Sequence, residues 1–277
     1  MKSSAKKVEL ASVDDLFTTE QERQEADEER VVRIPLTQLH YFKGYPAMQT
    51  EVPFTGQPYR FKDDDPKMQE TLDSVKKRGV RAPGLVRPDP DGGYEIISGH
   101  RRHRASELAG LEDMPVIIRD MTDEEAVIEM VDANIQREKV MPSEKAWAYR
   151  MKLEAIKHQG ARTDLTSVQV EQKLSARDKV AKDAGEKSGI QIMRYIRLTE
   201  LIPELLDMVD EKKIAFNPAY ELSFLKKEEQ IQLLDAMDSE QATPSLSQAQ
   251  RLKKFSQEGR LSIDVMRAIM GEEKKSD

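Results

Sequence analysis

Residues 96–110 constrain the fold of this chain more than any other stretch. An apolar run typical of a short buried strand leads into Gly99, and a helical pattern follows from His100 to Ala109. Gly110 then ends the helix, as glycine commonly does at this position. The first turn of a helix has unpaired N–H groups and the positive end of the helix dipole. The sequence therefore predicts a strand, a turn and a helix whose N-terminus suits an anion.

The beginning of this helix is rich in arginine: Arg101, Arg102 and Arg104 lie in its first turns. Guanidinium donors match phosphate oxygens, whereas cations at a helix N-terminus oppose the dipole unless an anion is bound. Two interpretations follow from these residues. The arginines either bind phosphate groups or solvate an exposed helix that packs through Ala105 and Leu108.

Two short segments resemble motifs of a known family. Residues 99–105 read Gly-His-Arg-Arg-His-Arg-Ala and resemble the G-E-R-R-x-R-A box of the ParB family of plasmid and chromosome partition proteins. Residues 133–138 read Ala-Asn-Ile-Gln-Arg-Glu and resemble the family's E-N-x-Q-R-x box. Two boxes in this order are more specific than either alone. The resemblance covers roughly residues 31–225.

This resemblance implies a domain that binds CTP with Mg²⁺, followed by a helix-turn-helix domain that reads a centromere-like site in double-stranded DNA. The nucleotide-binding residues that it implies are Gly99, His100, Arg101, Arg102, Arg104, Ala105, Asn134 and Arg137. Asn134 is also the expected metal ligand, through its carbonyl oxygen.

The chain departs from the family at two positions. His100 and Ala133 stand where the family has glutamates, the first associated with CTP hydrolysis and the second with the metal. Mg²⁺ prefers oxygen ligands, which neither residue supplies. Asp132 points about 100° away from Ala133 in a regular helix. We therefore expect nucleotide binding with weak or no hydrolysis.

Other arrangements of this site stay open. In one, a distorted helix end brings Asp132 to the metal, and His100 orients the attacking water. In another, His100 and His103 bind a metal, although histidines with no third ligand in the sequence more often face solvent.

A second motif lies in residues 179–198. Lys179 to Gly185 has the small residue and the glycine turn of a helix-turn-helix, and Ser188 is placed to cap the second helix. The residues expected to contact DNA are Lys187, Ser188, Gln191, Arg194 and Tyr195. Gly189 and Arg197 also fall on the predicted exposed face, with Arg197 expected to cap a carbonyl or to pair with a glutamate.

The charge distribution supports this assignment. The chain has a net charge of −7, yet residues 173–197 contain seven basic and three acidic side chains, a net of +4. One cationic face on an acidic protein is suited to phosphates.

The whole chain is predicted to be a small mixed α/β ParB-type domain followed by an all-helical domain. We place a disordered tail at residues 1–30, the α/β domain at 31–140, the helix-turn-helix domain at 141–241 and further helices at 242–277. Residues 40–62 are predicted to be an irregular loop, and Trp147 is predicted to be a core anchor.

Location and partners follow from composition and from the resemblance. With no cysteine, no apolar run near ~20 residues and no signal core, the chain is expected in the cytoplasm, associated with a nucleoid or plasmid. The segment from Val8 to Phe17 either contacts a ParA-type ATPase or is a frayed terminus. We find no room for a separate dimerisation domain, so dimerisation would come from the remaining helices or from ligand-driven contacts, or would be absent.

Three classes of function compete at this point. The first is a CTP-responsive partition or plasmid-maintenance protein. The second is a transcription regulator or adaptor of the same fold that binds DNA without nucleotide. A nuclease ranks last, because nothing in the sequence resembles a nuclease carboxylate cluster.

Overall fold

The computed structural model describes residues 30–42, 63–135, 140–163 and 175–272. Within these ranges five strands form one mixed sheet in the order β1-β5-β3-β4-β2. The strands are β1 (Val31–Pro35), β2 (Leu39–Tyr41), β3 (Gly84–Pro88), β4 (Tyr94–Ser98) and β5 (Asp113–Ile118). The β1/β5 and β3/β4 pairs are antiparallel, whereas β3/β5 and β2/β4 are parallel.

Three helices accompany the sheet: α1 (Pro66–Arg78), α2 (His100–Leu108) and α3 (Asp123–Ile135). The Asp65 side chain caps α1 by accepting from the Lys67 N–H at 3.0 Å. Thr122 and Glu125 form a capping box at the beginning of α3, with bonds of 2.9 and 3.3 Å. The predicted mixed α/β fold is confirmed.

One short strand was missed by the sequence interpretation. Residues 39–41 lie in β2, and Phe42 is buried beneath the Arg87 guanidinium at 5.0 Å. The prediction of an irregular loop from residue 40 was therefore wrong at its start. A three-residue strand is stabilised by pairing with β4, more than fifty residues away, and has no local periodicity to reveal it. The rest of the predicted loop, residues 43–62, lies outside the described residues.

The following helices form a continuous helical region. They are α4 (Pro142–Thr163), α5 (Ala176–Asp183), α6 (Gly189–Arg197), α7 (Pro203–Asp210), α8 (Phe216–Leu222), α9 (Lys227–Ser239), α10 (Leu246–Gln257) and α11 (Ile263–Met270). Helix α4 is the central helix of this region, since it packs against α3 as well as against α5, α6 and α7.

Tyr149, and not Trp147, is the buried aromatic anchor of α4. Tyr149 is fully buried and its hydroxyl donates to Glu186 at 2.8 Å, whereas Trp147 lines a surface cavity beside Arg150. The prediction for Trp147 was wrong because helical phase alone does not say which of two nearby aromatic residues meets a neighbouring helix.

The last helices share one core. Leu205, Leu222, Leu252 and Met266 are buried in the same cluster, so the helices after residue 241 pack directly on those before it. The three boundaries between the four predicted segments stay predictions. Within the described part of the chain, none of the helices has the length and apolar character of a membrane span.

Candidate functional site

A cavity of about 610 Å³ opens at the N-terminus of α2. The first family box, residues 99–105 (box one), contributes Gly99, His100, Arg101 and Arg102 to its wall. The second family box, residues 133–138 (box two), contributes Ala133. The structure thus brings together two segments that lie about thirty residues apart in the sequence. The first-turn N–H groups of α2 belong to this end of the helix, which makes it suitable for an anion.

Helix α1 and the loop after it complete the wall of the cavity. Their contribution was not predicted from the sequence. Glu70, Thr71, Ser74 and Arg81 all line the cavity. The polar spacing of Thr71 and Ser74 on one side of α1 was the available signal, but only the packing of α1 against α2 shows what that side faces.

Gly99 is required by geometry. Its φ of +106° is left-handed, and an added Cβ would lie 3.1 Å from the Gly84 Cα and 3.2 Å from an Arg102 nitrogen. Glycine therefore serves both the turn and the close approach of β3.

Arg101 is the arginine of box one that has an unsatisfied donor. Its Nε is buried and has no hydrogen-bond partner among the described residues, although the residue lines the cavity. A buried unpaired donor is costly, so this nitrogen favours an acceptor from a ligand.

Arg102 lines the same cavity but already has partners. Its Nη1 donates to the carbonyl oxygens of Ala82 and Pro83, each at 2.6 Å. Burial lowers the pKa of the Arg102 guanidinium. The side chain therefore holds the loop before β3, whether or not it also contacts a ligand.

Arg104 and Ala105 lie outside the lining of the cavity. Arg104 donates to Asp63 at 2.6 and 3.0 Å and to Glu107 at 3.2 Å, and these hydrogen bonds raise its pKa. Ala105 is fully buried among α1 residues such as Met68 and Leu72. The structure therefore gives them a salt-bridge role and a packing role, and their predicted contact with nucleotide stays untested.

The two histidines of box one both contact Tyr41. His100 stacks on the Tyr41 ring at 5.7 Å, and His103 meets the same ring edge-on at 5.9 Å. His103 is buried, and this burial lowers the pKa of its imidazole. No group of three histidine or acidic residues in the described ranges could hold a metal ion.

The residues of box two also divide between the wall of the cavity and the packed interior. Ala133 faces the cavity, whereas Asn134 is buried and its amide donates to the Met130 carbonyl at 2.7 Å. Asp132 accepts from Lys152 Nζ at 2.6 Å in a helix that is regular to Ile135. Arg137 lies outside the described residues.

The two positions of the family glutamates supply no oxygen ligand for Mg²⁺. His100 and Ala133 occupy the positions of the two family glutamates, and Asp132 is engaged by Lys152. A site for this ion normally supplies one or two carboxylates, and Glu70 is the carboxylate in the wall of the cavity. The geometry therefore argues against the rearranged site built from Asp132.

Helices α5 and α6 form the predicted helix-turn-helix. Gly185 in the turn has a φ of +67°, and the Ser188 hydroxyl caps α6 by accepting from the Gln191 N–H at 3.4 Å. Gly189 is buried where the helices cross, since an added Cβ would lie 2.3 Å from an Asp178 oxygen. Its predicted exposure was therefore wrong.

The predicted DNA-contacting residues separate into two groups. Lys187 and Ser188 are exposed at the beginning of α6, and Gln191 is half-buried. Tyr195 instead packs between Tyr149 and Phe216, with ring centroids at 5.5 and 4.7 Å, so its predicted place on the exposed face was wrong. The aromatic side chain follows the buried stripe of α6, one turn from Ile192.

The two arginines of α6 are turned toward α8. Arg194 donates to Asn217 at 2.8 Å and lies over the rings of Phe216 and Tyr220. Arg197 donates to the Ser223 carbonyl at 3.0 Å, which confirms the expectation that it caps a carbonyl.

Sequence reasoning missed two exposed apolar residues on α6. Ile190 is 68% exposed and Met193 is 43% exposed. They were passed over because apolar residues in a helix are read as core, although their positions opposite Ile192 and Tyr195 were a detectable signal.

Comparison with known proteins agrees with the motifs. Residues 19–135 match the model of the ParB N-terminal domain. The chain contains a ParB N-terminal domain. It is 31% identical over 201 residues to the chromosome-partitioning protein Spo0J of Thermus thermophilus, a match that covers 73% of this chain and 62% of that protein. It is 35% identical over 134 residues to the chromosome-partitioning protein ParB of Myxococcus xanthus, covering 48% of this chain and 40% of that one. The chain thus spans less than two thirds of either relative.

Two solved structures of ParB from Caulobacter crescentus are also similar. The C-terminally truncated protein complexed to the centromeric parS site is 20% identical, with a TM-score of 0.44 over 86% of this chain and 98% of that one. The same truncated protein complexed with CTP-γ-S is 23% identical, with a TM-score of 0.33 over 70% of this chain and 92% of that one.

Proposed function

We propose that this chain is a ParB-family DNA-binding protein for plasmid or chromosome partition, whose DNA-bound state responds to CTP. The observation that carries the proposal is the meeting of the two family boxes in one cavity at the N-terminus of α2.

The DNA-binding half of the proposal is supported by α5 and α6. Exposed cations lie on α5 and in the turn before α6, namely Arg177, Lys179, Lys182 and Lys187. Phosphate contacts of this kind position a helix-turn-helix, while the second helix meets base edges in the major groove. The named relatives are partition proteins, in keeping with this role.

The nucleotide half is supported by Arg101 and by the α2 N-terminus. The buried Nε of Arg101 and the first-turn N–H groups are donors suited to phosphate oxygens. CTP is proposed as the nucleotide because of the family and its boxes. The proposal assigns no residue as a ligand of Mg²⁺, because His100 and Ala133 supply no oxygen side chain at the two family positions.

Isothermal titration calorimetry with CTP tests the nucleotide half, with GTP as the control nucleotide. Titrations should be run with and without Mg²⁺ and with and without duplex DNA. Arg101→Glu is expected to abolish CTP binding, whereas Arg260→Glu, a charge reversal on an exposed arginine far along the chain, should leave it intact. Arg102 is a poorer target, since its hydrogen bonds to Ala82 and Pro83 are structural.

A specific observation favours the second function, a DNA-binding regulator or adaptor without nucleotide. Arg102 and Arg104 both have internal partners, which leaves box one fewer guanidinium groups for phosphate. Absence of CTP binding under every condition, together with intact DNA binding, would select this alternative. Chromatin immunoprecipitation with sequencing separates the two as well: one focus that spreads over kilobases means partition, and isolated promoter peaks mean regulation.

Two protein partners complete the proposal. We propose a ParA-type ATPase as the partner of the segment from Val8 to Phe17, which lies outside the described residues, and a homodimer as the assembled state. Removal of residues 1–30 should abolish ATPase binding without changing DNA affinity, and sedimentation with and without CTP and DNA reports the oligomeric state.

A further inference from the structure

Two apolar side chains are exposed on the outward face of α6. Ile190 and Met193 are three residues apart, which places them side by side on this face. On the opposite face, Ile192 is fully buried, and Tyr195 packs against Tyr149. The two exposed side chains therefore contribute little to the core.

Exposed cations precede this apolar pair in the chain. Arg177, Lys179 and Lys187 are exposed on α5 and in the turn before α6. A single exposed apolar residue needs no explanation, but an exposed apolar pair that follows a cationic segment indicates a specific target. The major groove of DNA has phosphates at its edges and, at every thymine, a 5-methyl group on its floor.

Two of the polar side chains expected to contact DNA are turned away from this face. Arg194 is held toward α8 by Asn217, and Tyr195 packs inward. Ile190 lies in the N-terminal part of α6. In a recognition helix, this is the part that contacts base edges.

We propose that Ile190, with Met193 one turn later, contacts thymine 5-methyl groups in the major groove, so that α6 selects thymine by apolar contact. This inference rests on the proposed function, because it requires that α5 and α6 bind duplex DNA. Apolar side chains are suited to this contact, since thymine is the base that carries a methyl group there.

The test begins with selection of the preferred duplex by the full-length protein from a random library. Each thymine of that duplex is then replaced in turn by deoxyuridine, which removes only the 5-methyl group. Affinity is measured by fluorescence anisotropy for the unmodified protein, for Ile190→Ala and for Ile231→Ala. Ile231 on α9 is a matched control, because it is 55% exposed and undergoes the same substitution.

For the unmodified protein, we expect one or more deoxyuridine positions to weaken binding roughly fourfold, the change that corresponds to about 0.8 kcal/mol for one buried methyl-sized group. Ile190→Ala should bind thymine and deoxyuridine duplexes equally at that position, and Ile231→Ala should keep the unmodified preference. Circular dichroism checks that both variants are folded.

Two results would overturn the inference while the proposed function stands. The unmodified protein could select a sequence yet bind every deoxyuridine duplex equally well, or Ile190→Ala could retain the full thymine preference. Failure to select any sequence would instead refute the DNA-binding function, and the inference with it.

Discussion

Lys152 Nζ lies 2.6 Å from Asp132 Oδ1, and the same nitrogen lies 2.9 Å from Asp183 Oδ2. The Lys152 side chain is only 1% exposed. Asp132 belongs to α3, next to the second box, and Asp183 belongs to α5 of the helix-turn-helix. A buried cation on α4 therefore joins the helix beside the candidate cavity to the candidate DNA-binding region.

We expect the Asp132→Asn/Asp183→Asn double variant to be less stable, because it leaves the Lys152 ammonium buried without a carboxylate. The loss should be about 3 kcal/mol, near the lower end for a broken buried pair because both carboxylates are partly exposed. Denaturant unfolding measures it. Glu154→Gln is the control, because its pair with Lys157 is at the surface and should contribute less than about 0.5 kcal/mol. Equal losses in the two proteins would contradict the structural role of Lys152.

The turn before α2 gives a second prediction. Gly99→Ala should lower the free energy of unfolding by roughly 2–4 kcal/mol, since a left-handed alanine is strained and its Cβ meets the Gly84 backbone. The control is Gly259→Ala, where φ is +68° but nothing lies within 4 Å of the added Cβ. Only backbone strain of about 1 kcal/mol applies there. If thermal or denaturant unfolding gave similar losses for both variants, the close approach of β3 would have no energetic effect.

His103 predicts a pH dependence of stability. Its folded-state pKa lies below the ordinary value of 6.5 because burial disfavours the imidazolium. The unfolded chain therefore binds the proton more readily, so the free energy of unfolding falls as the pH drops below about 6.5 toward the folded-state pKa. His103→Gln should reduce the difference in stability between pH 7.5 and pH 5.5.

The control for this measurement is Gln257→Asn, because Gln257 is exposed and the change adds or removes no titratable group. That variant should keep the pH dependence of the unmodified protein. If the free energy of unfolding of His103→Gln changed between the two pH values as much as that of the unmodified protein, burial of His103 would not contribute to the pH dependence of stability.

Hydrolysis is the fourth prediction, and it rests on the proposed binding of CTP. The His100 and Ala133 side chains lie on the wall of the cavity where the family has glutamates. Phosphoryl transfer to water requires charge neutralisation and an oriented water, so we expect phosphate release from CTP to be very slow or undetectable. His100→Glu/Ala133→Glu should increase it, whereas His158→Glu at an exposed position should not.

The opposite outcome is equally specific. An unmodified protein that hydrolyses CTP at a rate abolished by Asp132→Ala, but not by Asp183→Ala, would show that Asp132 acts in hydrolysis. The second variant controls for stability, because it removes the other carboxylate partner of Lys152.

The elements with local signals were predicted closely. Gly110, with a φ of +70°, follows the last turn of α2 as expected, and Asp65, Pro66 and Gly79 are local signals of the same kind at the two ends of α1. Capping side chains and glycines act through neighbouring backbone groups, so a few consecutive residues are enough to identify them. Strand β2 lacked such a signal, because its three residues are held by a partner distant in the sequence.

The sequence by itself determined the mixed α/β domain, the helical region, the two family boxes and the helix-turn-helix. Only the tertiary structure decided which box residues line the cavity, as Arg101 and Ala133 do, and which pack or form salt bridges, as Ala105 and Arg104 do. It also decided that Tyr195 and Arg194 face other helices while Ile190 faces outward. The physical reason is that periodicity assigns a residue to a helix face, whereas the neighbour of that face is set by contacts between distant segments.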